Sequence, residues 1–516
     1  MNWNSACRFQ TLIALAGLFC PHSSAQVTVT VGPNINITQS LGNNAEECIA
    51  INPANPANLF ASETYLLATR YSFDGGITWS NSNLSALPAS IGDVSTAFDT
   101  FGNLFLIRLD TTPLSKVDVC LSTNGGASFS LLYETDAVDA DQPTIATGPS
   151  AVAGQESVWI IYTTLYSTTT NKLAVQGASV TGLGAIGSFS PPEMTVNNGD
   201  YGDVSIGPNG QVLVVYENPN NNIGPATLRM NLDADGLGPG LFGSAISATT
   251  TQVGSFVPIP AQPQRDVDAE AGLAWDRSGG PHNGRVYFLY TDRPNTSSAD
   301  TDIYVRYSDN NGSTWSSRVR VNDDAVGNGK SQFLPRIALD QTTGNIAVSF
   351  YDCRNSVSNN TVELWATAST DGGQTFLPNF KVSAGSSSAL VTAIANNGFD
   401  FGDYAGLAFH AGTFYPCWAD NSNSTGDNPA GAGGKFDMYT ARVTVMPPLL
   451  MLNPRLTNAT FHATVQTVAM KTYFLESTPA LINPVWSSLA SVSGDGTLKD
   501  LAASASSQAF YRIRAQ

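Results

Sequence analysis

The chain has 516 residues, with 24 Lys and Arg against 41 Asp and Glu, a formal net charge of −17. So few cations on so acidic a chain exclude a surface that neutralises phosphates, and with it nucleic acid as a partner. The length is too great for one small core, yet closed all-β rings reach it as a single domain.

The first 25 residues carry Arg8, an apolar run from Leu12 to Phe19 and the small residues Ser23-Ser-Ala25. That order predicts a signal peptide over 1–25, removed on export, and a protein that is secreted, extracellular or periplasmic, or held at the cell surface. Cys20 would suit lipid attachment, but the bulky Phe19 before it fits a lipobox badly. No later apolar run is long enough to cross a bilayer, so the chain is not expected to span a membrane. Cys48, Cys120, Cys353 and Cys417 allow two disulfides in three pairings or four buried thiols, and their spacing matches no zinc site.

From residue 26 onward helical periodicity is nearly absent. Short β-branched and aromatic runs recur between Gly, Asn, Asp and Pro turns, which predicts an all-β chain. One phrase returns four times: Ser72-Phe-Asp-Gly-Gly-Ile-Thr-Trp79, Ser122-Thr-Asn-Gly-Gly-Ala-Ser-Phe129, Ser308-Asp-Asn-Asn-Gly-Ser-Thr-Trp315 and Ser369-Thr-Asp-Gly-Gly-Gln-Thr-Phe376. Asp or Asn at its third position is expected to accept from turn amides two residues on, the Gly that follows to supply positive φ, and the last aromatic to re-enter a strand. Asp74, Asn124, Asn310 and Asp371 are therefore read as structural. Amide and carboxylate both cap a turn, so the two Asn argue against metal binding there.

Laid under one another, the runs form seven modules, opening at Glu46, Asp93, Asp141, Tyr201, Asp268, Phe333 and Gly402. The third and fourth keep no readable box. The seventh ends at Phe436-Asp-Met-Tyr-Thr-Ala-Arg-Val443, one strand short, and Val27-Thr-Val-Thr-Val31 is expected to complete it so that no edge is exposed. The expected fold is a seven-bladed β-propeller over 26–446, with six blades as the alternative. After Met446-Pro-Pro448 the pattern changes, and strands near Phe461, Thr472, Trp486 and Phe510 predict a small β-sandwich-like module over 447–516, for attachment or export sorting.

The four boxes resemble those of the Asp-box, or BNR-repeat, propellers, the group that includes the bacterial sialidases. The resemblance implies a box on the turn between the third and fourth strands of each blade, facing away from the active site. Tyr473-Phe-Leu-Glu476, Trp486 and Phe510-Tyr-Arg512 resemble landmarks of a C-terminal β-module of secreted bacterial proteins.

Because strands of a blade alternate in direction, inner-strand starts and second-strand ends share the face opposite the boxes. The inner starts carry Glu46, Glu47, Asp93, Asp141, Asp203, Asp268, Glu270 and Asp403, with Gln332 and Arg336 in the sixth module. The second-strand ends carry Glu217, Asp292, Arg293, Asp352, Arg354, Asp420 and Asn421. Such acids either accept backbone amides and pair with neighbouring Arg, or converge, raise one another's pKa and act as a general acid or as ligands of a hard cation such as calcium. No cofactor is otherwise implied. The resemblance to sialidases implies Asp93 as acid/base, Tyr404 as nucleophile with Glu270 as its activator, and Arg336 and Arg354 as two of three carboxylate clamps, with Asp403 beside them. Arg70, on a third strand leading towards the box face, is the best candidate for the remaining clamp. Asp203, Asp268, Asp292, Arg293, Asp352 and Asp420 are the candidate substrate-binding residues.

Other motifs have plainer readings. Gly182-Leu-Gly-Ala-Ile-Gly187 has the letters of a dinucleotide fingerprint but no helix to follow, and Asp233-Ala-Asp-Gly236 is too short for a calcium loop; both are expected to be turns. His282, His410 and His462 are scattered, against a Ser-His-Asp hydrolase. Tyr290, Tyr351, Tyr415 and Trp418 are core aromatics unless they reach the funnel rim, where they would stack on sugars. The expected function is to bind or process an extracellular glycan or glycoprotein, as a glycoside hydrolase of exo-sialidase type, as a non-catalytic binding propeller or as a surface scaffold.

Overall fold

The computed structural model describes residues 27–516 apart from 112, 137–138, 165–170, 220–222, 392–397 and 507–508, so the expected signal peptide lies outside the described residues. Strands but no helices occur among them. Six antiparallel sheets follow one another in chain order. They begin with the strands Glu47–Ile51, Ser90–Phe98, Ala140–Pro149, Asp200–Ile206, Gly272–Trp275 and Gln332–Leu339, and each has four or five strands. A further sheet starts at Gly406–His410, and its fourth strand is Thr28–Asn36, paired antiparallel with Asp437–Met446 from Thr28 opposite Met446 to Asn36 opposite Tyr439. The closing strand foreseen at 27–31 is thus real and longer, continuing past a bulge between Val31 and Asn34.

Each first strand packs beside the first strand of the next sheet, and Gly406–His410 returns to Glu47–Ile51, which closes a ring of the propeller kind. Second strands lie between two neighbouring sheets and are buried on both faces. This is why Leu104–Asp110, Val286–Asp292, Ile346–Asp352 and Thr413–Asp420 read as continuous apolar runs and are buried throughout. Phe60, Leu104, Leu106 and Phe129 form one such intersheet core. The four cysteines are buried free thiols.

The boxes sit on turns after third strands, where their hydrogen bonds are local. Ser72 Oγ donates to Asp74 Oδ1 at 2.8 Å and accepts from Gly76 N at 3.0 Å; Asp74 Oδ1 accepts from Ile77 N and Thr78 N at 3.0 and 2.9 Å. The cap therefore reaches amides three and four residues on, rather than two. Asn124 reproduces it with an amide: Oδ1 accepts from Ser128 N and Nδ2 donates to Ser128 Oγ. In the third box Asn311 takes the positive φ, 56°, where the other boxes have Gly. Boxes also brace the sheet before them. Asn58 Nδ2 donates to Gly125 O at 2.9 Å, Arg285 Nη1 to Gly372 O at 2.8 Å and Tyr415 OH to Gly75 O at 3.0 Å. A Cβ on Gly126 would meet Phe60 at 2.8 Å, so only Gly lets that box settle on its neighbour.

Both sequences read as turns occupy the box position of sheets without a box. Asp233 Oδ1 accepts from Asp235 N and Gly236 N at 3.1 and 2.9 Å, and Asn103 of the preceding sheet holds the other turn by donating to Gly182 O at 3.0 Å. Beyond residue 447, two three-stranded sheets enclose Val465, Tyr473, Leu475 and Leu501. They meet the box side of the ring where Ala469 N donates to Ala411 O at 2.9 Å and Arg442 Nη2 to Ala469 O at 3.2 Å.

Candidate active site at the channel mouth

Around the ring axis the starts of the first strands repeat one backbone conformation. Glu46, Asp93, Gln142, Tyr201, Glu270, Leu334 and Gly402 all have positive φ, from 42° to 81°. Two residues on stand Cys48, Ser95, Thr144, Asp203, Gly272, Arg336 and Tyr404, and all of these line one axial cavity of about 230 Å³. Left-handed backbone at six residues other than Gly costs about 1–3 kcal/mol each, and such strain gathers where side chains must be aimed. The pattern was missed in the sequence because Glu, Asp, Gln, Tyr and Leu do not advertise positive φ.

Arg265 organises the mouth. It lies on the hairpin of Val257–Ile259 and Gln262–Val267, inserted between two repeats, and no repeat pattern pointed to it. The hairpin is pinned across the axis: Gln264 N and Arg265 N donate to Asp400 Oδ2 at 2.8 and 3.1 Å, and Gln262 Nε2 donates to Gly402 O at 2.9 Å. Arg265 then forks onto Asp403, with Nε donating to Oδ1 at 2.7 Å and Nη2 to Oδ2, and Nη2 lies 3.4 Å from Glu46 Oε1. Burial opposes its charge, but the hydrogen bonds and charge of Asp403 more than offset this and hold the guanidinium protonated.

The remaining acids crowd round this pair. Asp93 Oδ2 accepts from Gln142 N at 3.1 Å, and Gln142 Nε2 donates to Asp403 Oδ2 at 3.2 Å. Asp93 and Asp141 stand close enough for each carboxyl to act on the other, and both are raised, first by burial. Burial first, then the charge and hydrogen bond of Asp93, push Asp141 up to about 7. Burial and then Asp403 push Asp268 up to about 7. Glu46 and Glu270 are also pushed well up, chiefly by burial; Arg336, 3.2 Å from Glu270 Oε1, opposes the rise at Glu270. Beside the acids Tyr201 meets Phe256 edge-on at 6.4 Å, and Phe256 is 43% exposed.

The structure therefore brings Asp93, Asp268, Glu270, Arg336, Asp403, Tyr404 and Asp203 to the channel, together with Asp141 and Glu46. Tyr404 OH shares a 3.0 Å hydrogen bond with Thr64 Oγ1, and burial, with the charges of Glu46 and Asp93, raises its pKa. The second-strand ends lie one strand further from the axis, and none of the residues named there lines the axial cavities. Arg354 is held by Asp352 at 2.8 Å and Asp323 at 2.7 Å over the Trp365 ring. Asp292 accepts from Gln252 N and Arg318 Nη1, Arg293 donates to Gln252 O and Ser298 O, and Asp420 accepts from Trp418 Nε1 and Ser422 N. Arg70 donates to Thr69 O and borders an outer groove with Trp79. Among the described residues no three His, Cys, Asp or Glu side chains are grouped to hold a metal ion.

The family model for the BNR/Asp-box repeat matches residues 70–81, across the first box. No curated protein matches the chain. Among solved structures it is similar to a protein of unknown function from Dyadobacter fermentans (10% identity, 81% of this chain and 99% of that one, TM-score 0.42). It is also similar to an α-L-arabinofuranosidase from Fusarium graminearum (12%, 66% and 98%, 0.40) and to the phage phi92 endosialidase (11%, 91% and 76%, 0.43).

Proposed function

We propose that this BNR-repeat propeller is a seven-bladed ring over 26–446, exported by a leader at 1–25, that binds an extracellular glycan at its acidic mouth and cleaves a glycosidic bond there. Residues 447–516 would form an accessory β-module. The observation that carries the reading is the meeting, at one mouth, of the neighbouring Asp93 and Asp141 carboxyls, with Asp141 raised to about 7, and the Asp403 carboxylate forked by Arg265, beside the exposed ring of Phe256. Glycoside hydrolysis needs one carboxyl that is protonated near neutral pH and one carboxylate that stabilises the sugar cation or activates water. Asp141 suits the first role and Asp403 the second, while Phe256 offers a face for sugar stacking.

An exo-sialidase form would instead use Asp93, Glu270, Arg336 and Tyr404. The carboxyl form is favoured, because Tyr404 is bonded to Thr64 and both guanidiniums of the channel top, Arg265 and Arg336, are already paired with carboxylates.

The test compares the unaltered protein with Asp141→Asn, Asp403→Asn and Tyr404→Phe on aryl-glycosides of neutral sugars and of sialic acid. Cleavage of a neutral glycoside is expected to fall by about 10²–10⁴-fold in either Asp variant and to persist in Tyr404→Phe. Glycan-array retention without cleavage would replace hydrolysis by binding, and neither signal would end the glycan reading.

A further inference from the structure

Below the mouth, the axial cavity of about 230 Å³ ends on the box side at Arg277. This residue follows the first strand Gly272–Trp275 and throws its guanidinium across the ring: Nη1 donates to Thr147 O at 3.2 Å and to Ile206 O at 2.9 Å. Those carbonyls belong to two other sheets. Gly148 makes the crossing possible, since a Cβ there would stand 2.5 Å from Arg277 Nη1. Gln341 fixes the backbone from the next sheet, accepting from Arg277 N at 2.8 Å and donating to Trp275 O at 2.9 Å.

The side chain is thus a charged floor to the channel, and its hydrogen bonds go to carbonyls. Among the described residues it forms no salt bridge; Glu156 and Asp276 act on it only through longer-range charge. Arg277 is only partly exposed, and a guanidinium shielded from water without a counter-charge at contact distance is costly. Burial lowers its pKa to about 10, so it remains a cation at neutral pH.

Neither carboxyl that lines the same cavity, Glu47 or Asp203, forms a salt bridge with Arg277. Glu47 is fully buried, burial pushes its carboxyl well above the usual carboxylate range, and neither of its oxygens has a hydrogen-bond partner. Asp203 accepts from Val204 N and Leu273 N, both at 2.9 Å or less, and its opposing charge is Arg336.

We propose that the Arg277 end of the axial cavity binds a small monovalent inorganic anion of halide size, such as chloride, which supplies the missing counter-charge. The site is independent of the glycan chemistry at the mouth: it lies at the opposite end of the channel and uses none of the residues assigned there. Its occupant stabilises the folded ring by mass action, since only the closed ring assembles the three sheets that frame the guanidinium.

Bromide serves as the probe. In crystals of the unaltered protein grown with bromide in place of chloride, an anomalous peak is expected beside the Arg277 guanidinium inside the cavity. Thermal melts at constant ionic strength, with gluconate replaced stepwise by chloride or bromide, are expected to shift upward and saturate as for one site; Arg277→Gln is expected to remove the shift. Bromide found only on the outer surface, melting independent of halide in the unaltered protein, or an undiminished halide shift in Arg277→Gln would each overturn the proposal. The crystal measurement decides the matter even if Arg277→Gln does not fold.

Discussion

Asp141 and Asp268 hold protons that ordinary aspartates release well below neutrality. Each moves from an ordinary value of 3.8 to about 7, so the folded state binds protons more tightly than the unfolded chain does. Their contribution to stability is fully present below pH 3.8 and is lost as pH rises through about 7. Asp141→Asn, which cannot titrate, is expected to flatten the fall in melting temperature between about pH 4 and about pH 8 relative to the unaltered protein; an unchanged slope would show that Asp141 does not carry the proton. If the mouth is catalytic, activity should fall on the alkaline side through the same range. These acids were legible because each stands at the start of a recognisable strand. Arg265 was not, because repeats reveal only what recurs, and it lies on an insertion that recurs nowhere.

The box hairpins were the most legible elements, since Ser, Asp or Asn, Gly and Thr each perform one hydrogen-bonding or conformational task at a fixed spacing. Even so, the cap turned out to hold amides three and four residues away, and the boxes proved to brace the preceding sheet through Asn58, Arg285 and Tyr415. Asp74→Ala removes the acceptor of two amides and of the Thr78 hydroxyl, and is expected to cost about 1–2 kcal/mol in urea unfolding. Asn124→Asp keeps the acceptor and should change stability by less than about 0.5 kcal/mol. Equal losses for the two would show that the amide donor of Asn124 to Ser128 Oγ, and not acceptor geometry alone, holds that box. The ring of positive φ at the first strands was hidden by contrast, because tertiary packing imposes that conformation on side chains that do not prefer it.

At the scale of the molecule, the ring's closure was legible from one module lacking a strand and one spare alternating segment at the other end of the chain. Burial of the second strands on both faces explains why continuous apolar runs alternate with the boxes. Deleting Thr28–Asn36 leaves Asp437–Met446 as an open edge; the truncated protein is expected to self-associate in light scattering, where the full chain stays monodisperse. A monodisperse truncated protein would show that this edge is protected by other means. The pairing of Thr28 with Met446 has a geometrical result for anything joined to the ring: a segment fused ahead of Thr28 and the chain that continues after Met446 depart from adjacent points on two paired strands. A tether at either terminus would therefore hang the toroid from one spot on its rim and present its acidic opening in the same direction.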